Sequence, residues 1–110
     1  MKEFIFLVRG KDSVATPEEL QKRMAPYMIW MQELMAKGQF KDGAPLIDNK
    51  GNLVKTKNEV VSEGSFLDPA QVISGYLIIK AEDLKEATAI AKTCPLIKQF
   101  PIEVREIKVR

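Results

Sequence analysis

The chain has 110 residues, enough for one ordinary domain and too few for two. Its apolar share of 45% excludes disorder by composition, and 17 basic against 15 acidic residues leave a charge of +2 with no block of one sign, so the basic footprint of a nucleic-acid binder is missing. Histidine is absent, which removes Ser–His–Asp and Cys–His triads and His-ligated zinc together, and the single cysteine, Cys94, excludes an intramolecular disulfide.

Residues Glu3 to Arg9 read as a strand. Phe4, Phe6 and Val8 point to one face and Ile5, Leu7 and Arg9 to the other, so both faces are apolar and the strand is expected at the centre of a sheet. Its apolar run is too short for a signal peptide or a membrane span, and nothing else in the sequence approaches spanning length. With the unpaired thiol, this predicts a cytoplasmic protein with no membrane partner.

Thr16-Pro17-Glu18-Glu19 predicts a helix start: Thr16 caps, Pro17 suits the first helical position, and Glu19 returns a bond to the cap. Leu20, Met24, Tyr27, Met28, Met31, Leu34 and Met35 fall on one arc of that helix, and Gly38 ends it. Pro26 is expected to kink it. Trp30 sits at the edge of the arc, where it either packs or walls a pocket. Gln39 to Ile47 predicts a short strand, followed by a turn and two more short strands about Lys57-Asn58. Val72 to Ala81 is a second strongly apolar strand carrying Gly75, which suggests a bulge or close backbone approach. Asp83 begins a second helix with Glu86 in capping-box register, and Leu84, Ala87, Ile90, Ala91 and Cys94 form its predicted buried stripe. Pro95 stops that helix, and Ile102 to Val109 closes the order as a strand.

This order is met with fewest assumptions by an α+β ferredoxin-like sandwich: an antiparallel sheet with two helices on one face. Two helices cannot cover both faces, yet the strands at Phe4 and Val72 are apolar on both. A second copy of the chain is the simplest cover, which predicts a homodimer.

Several segments resemble a known family. Val61-Ser62-Glu63-Gly64-Ser65-Phe66, followed by Val72-Ile73-Ser74-Gly75-Tyr76-Leu77-Ile78-Ile79, is similar to the YCII-related family, in its branch with an Asp-Gly-Pro-Phe signature. Trp30 with Leu34 and Gly38, Gly43-Ala44-Pro45-Leu46, Asp83-Leu84 with Glu86-Ala87, Cys94-Pro95 and Ile102-Glu103-Val104-Arg105 match in the same order. The resemblance implies a dimeric α+β barrel, in which two sheets face each other across a cleft. The chain departs from the pattern at the signature acid, here Glu63, at the signature proline, here Ser65, and at a following lysine that aligns with Ala70. Some relatives carry a histidine in the first helix paired with an aspartate; Ala25-Pro26-Tyr27-Met28 stands here, so that couple does not carry over.

The inter-sheet cleft is therefore the expected site, lined by Arg9, Trp30, Glu63, Ser65 and Tyr76 and taking a small anionic or aromatic molecule. Glu63 is the candidate catalytic carboxylate, provided that burial raises its pKa. Against this, Glu63-Gly64 reads as plain turn chemistry, and a glycine-containing turn needs no catalytic reason. Arg9 and Arg105 can clamp a carboxylate or phosphate, or pair with Glu103. Asp68, before Pro69, reads as a turn acceptor. A lyase or isomerase step without histidine is one reading, and a non-catalytic regulatory or interaction module is the alternative. RNA binding ranks last, because the strand from Val72 to Ala81 lacks the basic and aromatic signature. No metal or cofactor is expected, since paired cysteines and a glycine-rich phosphate loop are missing as well as histidine.

Overall fold

Alternation of large apolar side chains makes the central strands. In the computed structural model, which describes residues 1–10, 16–47, 51–62 and 72–109, β1 (Lys2–Arg9) turns Phe4, Phe6 and Val8 into the core. β5 (Ile73–Ala81) does the same with Leu77, Ile79 and Ala81. The two pair antiparallel, setting Phe4 against Ile79 and Phe6 against Leu77, so the buried rings and branched chains form one continuous surface. β2 (Phe40–Pro45) flanks β5 and β6 (Ile102–Glu106) flanks β1, both antiparallel, giving the order β2-β5-β1-β6. β3 (Asn52–Thr56) and β4 (Glu59–Ser62) form a separate two-stranded hairpin.

The predicted caps start both helices. α1 (Pro17–Ala36) has both bonds of the Thr16–Glu19 capping box, at 3.2 and 3.3 Å. It runs on through Pro26 as a single helix. Gly38, at φ 70°, closes it: its N–H donates to the Met35 carbonyl and that of Gln39 to Leu34, the pairing of a Schellman motif. At α2 (Leu84–Thr93) the Glu86 N–H donates to Asp83 at 2.8 Å, but the Glu86 carboxylate accepts from the Gln39 side chain and the Glu82 N–H instead of completing the box.

Both helices lie over the face of the sheet that carries Phe4, Phe6, Leu77 and Ile79. Ala87 and Ala91 are buried there, and such small side chains let α2 approach closely. α1 contributes Trp30 and Leu34, with Tyr27 and Met31 half-buried beside them. The helical arc is thus turned from the expected one, because Leu20, Met24, Met28 and Met35 are 42–51% exposed. Leu84 is likewise exposed, and β6 stops at Glu106, short of the expected Val109. The sheet order, antiparallel pairing and one-sided helices make this a ferredoxin-like α+β fold. Its other face, with Ile5, Leu7, Tyr76 and Ile78 in adjacent register, carries no helix among the described residues.

Candidate functional site

The position of Trp30 decides where space is left. Trp30 and Leu34 seat the C-terminal half of α1 in the core, whereas its N-terminal half lies over small residues of the sheet: Gly75 of β5 and Gly43, Ala44 and Pro45 of β2. These small residues leave room between the sheet and Met24, Tyr27 and Met28. The result is a cleft of about 510 Å³ between α1 and the β5–β2 side of the sheet. Val8 and Leu77 form its floor, Phe40 and Leu46 its side, and Leu96 and Phe100 its end. The glycines are held by close approach: a Cβ on Gly43 would lie 2.8 Å from the Tyr76 carbonyl oxygen, and one on Gly75 would lie 3.2 Å from that of Ala44.

Among the described residues, the lining has no carboxylate, and its cation is Arg23. Tyr27 supplies a phenol. Its ring stacks on Trp30 with centroids 5.9 Å apart, and burial pushes its pKa up to about 12, helped by the charge that an ionised Cys94 would place nearby. The phenol therefore stays protonated and donates; it is no base near neutral pH. Trp30 directs its indole N–H at the Thr93 hydroxyl, 2.9 Å away, and that hydroxyl donates in turn to the Ile90 carbonyl. Cys94 is fully buried, and burial pushes its thiol up to about 11, against a smaller opposing effect of a backbone hydrogen bond to Leu96. Such a thiol is packing, not a nucleophile.

Of the residues expected to share one site, Arg9 and Tyr76 come together on the helix-free face, since Tyr76 stands opposite Leu7 and Arg9 follows two residues along β1. Arg9 directs Nε and Nη2 at one Glu103 oxygen, at 3.0 and 2.5 Å, and Arg105 lies 3.8 Å from the other. Trp30 does not join them, because it lies in the helix layer across the sheet. Glu63 and Ser65, with Asp68 and Ala70, lie outside the described residues. Helical periodicity alone assigns Tyr27 to the core and gives no hint of its place in a cleft. The run of small residues at Gly43–Pro45 and Gly75, facing a methionine-rich helix, is the available signal for a gap.

A family model described as the YCII-related domain matches residues 1–109. Among solved structures, 5-chloro-2-hydroxyhydroquinone dehydrochlorinase (TftG) from Burkholderia phenoliruptrix AC1100, in complex with 2,5-dihydroxybenzoquinone, shares the fold at a TM-score of 0.55 and 20% identity, over 96% of this chain and 93% of that one. A comparison with curated proteins finds no match.

Proposed function

The chain belongs to the YCII-related family, and from that premise we propose that it binds a small, ring-sized, largely apolar molecule in the cleft between α1 and the β5–β2 side of the sheet. The cleft itself carries the reading. Its volume of about 510 Å³ falls within the usual range for ligand sites, and its lining is apolar apart from a few polar groups. The 2,5-dihydroxybenzoquinone in complex with TftG is of the same size class and supports it. A catalytic step would also need a proton acceptor, which the described lining lacks; Glu63 is the candidate for that role. The experiment is a titration of the protein with substituted benzenes, followed by ligand-observed NMR, beside a Met28→Trp variant that fills the cleft. The wild type is expected to bind, and the variant to bind at least tenfold more weakly. Equal binding by both would place the ligand elsewhere.

We propose further that two copies meet through the helix-free face. Ile5, Leu7, Tyr76 and Ile78 form an apolar centre there, rimmed by the Arg9–Glu103 and Lys41–Glu3 ion pairs. Light scattering on dilution is expected to show a dimer at micromolar concentration, and Leu7→Arg to convert it to monomer. A wild-type monomer at that concentration would refute this arrangement.

A further inference from the structure

We propose that Tyr27 is the hydrogen-bond donor that orients ligands in this cleft, and that it selects ring compounds carrying an acceptor oxygen, such as an aryl or ring carbonyl, over bare hydrocarbons. This rests on the cleft reading above and gives it a ligand class.

Three observations converge on the Tyr27 hydroxyl. Tyr27 lines the cleft with a half-buried side chain, yet no hydrogen bond joins its hydroxyl to any other group among the described residues. Every fully buried side-chain polar atom among those residues has a partner, so this unbonded hydroxyl is not sealed in the core and is open to a bonding partner from outside. The other polar side chains of the lining are differently placed. Ser74 donates to the Val8 carbonyl at 3.3 Å, Arg23 already has an interaction partner, and strand alternation turns the Tyr76 side chain to the helix-free face. The neighbouring Trp30 makes the contrast plain, for its N–H is already bonded to Thr93.

The Tyr27 ring is also held in place. Stacking on Trp30, itself fixed by Thr93, restricts the phenol, so little freedom is lost when it bonds a ligand. With its pKa raised to about 12, it keeps its proton well above neutral pH and offers a donor throughout. A carbonyl oxygen accepts that bond, while the ring behind it lies against Met24, Met28 and Leu77. A hydrocarbon of the same shape leaves the hydroxyl unbonded and displaces the water it would otherwise hold.

The test compares acetophenone with isopropylbenzene, which replaces the carbonyl oxygen by a methyl group at nearly constant shape. Relative to a cleft without the hydroxyl, the wild type is expected to favour acetophenone over isopropylbenzene roughly three- to tenfold more, the range of one neutral hydrogen bond, read against the greater hydrophobicity of isopropylbenzene. Tyr27→Phe keeps the ring and its stacking; it is expected to lose that preference while holding isopropylbenzene as tightly as before, with its thermal transition confirming the fold. The wild-type preference is expected to persist to about pH 9, because the phenol remains protonated. If Tyr27→Phe retains the preference, Tyr27 is not the donor, although the cleft reading stands. If the wild type binds neither compound and Met28→Trp changes nothing, the cleft reading falls and this proposal with it.

Discussion

Replacing Trp30 by Ala is expected to lower stability by about 3–5 kcal/mol, the range for removing a large aromatic side chain from a core. Trp30 is 6% exposed and ties both helices to the sheet: it stacks on Tyr27 within α1, bonds Thr93 at the end of α2, and packs over the sheet core. Alanine leaves a void that backbone at a helix–helix contact cannot readily close. Trp30→Phe is expected to cost less, since it keeps most of the packing and gives up the N–H bond; Thr93 retains its own bond to the Ile90 carbonyl. Denaturant unfolding measures both. Circular dichroism is the suitable probe, because Trp30 is the chain's only tryptophan and the variants remove its fluorescence. A loss under about 1 kcal/mol for Trp30→Ala, below the range for such a deletion, would show that the helices are held together some other way.

Gly43→Val is expected to cost about 1–3 kcal/mol or more, through overpacking where two strands approach closely. The added Cβ meets the Leu77 Cδ2 atom at 2.6 Å and the Tyr76 carbonyl oxygen at 2.8 Å. Leu77 can rotate away, but the carbonyl belongs to the backbone of β5 and moves only if β2 pulls off. Gly43 also stands next to the register shift between Phe40 and Asp42, where the pairing is already irregular. Hydrogen exchange should therefore quicken along β2 and leave β1 and β6 unchanged. Gly51→Ala is the control: among the described residues nothing lies within 4 Å of its added Cβ, and its effect should stay within about 0.5 kcal/mol. Equal midpoints for the two variants would contradict the close approach of β2 to β5.

The local signals in the sequence are reliable because each acts over a few residues. Thr16, Glu19 and Gly38 mark the ends of α1 by bonds and dihedrals that depend on nearby chain alone. Period-two alternation in β1 and β5 separates two faces, and the apolar content of Ile5, Leu7 and Ile78 signals that the face without helices is unusual for a surface. What alternation cannot say is which of two apolar faces the helices choose. Sequence reasoning therefore groups Trp30 with Arg9 and Tyr76, although the sheet stands between them. The phase of α1 is equally undetermined by its own residues. Its apolar stripe is broad, and the bond from Trp30 to Thr93, 63 residues away, is among the contacts that fix which part turns inward. The cleft follows from that phase together with the small residues opposite, and neither segment reveals it separately.

Cys94 has a kinetic consequence. Its sulfur is sealed in the core, and the fold disfavours the thiolate, the form that reacts with electrophiles. A thiol reagent can thus modify the chain only during excursions that open the contact between the end of α2 and the sheet. The rate of modification counts those excursions directly, undisturbed by any second cysteine. Where opening and closing outpace the reagent, the rate scales with the open population; with fast reagent it becomes the opening rate itself. The chain thus carries its own clock for how often the junction of α2 and the sheet comes apart.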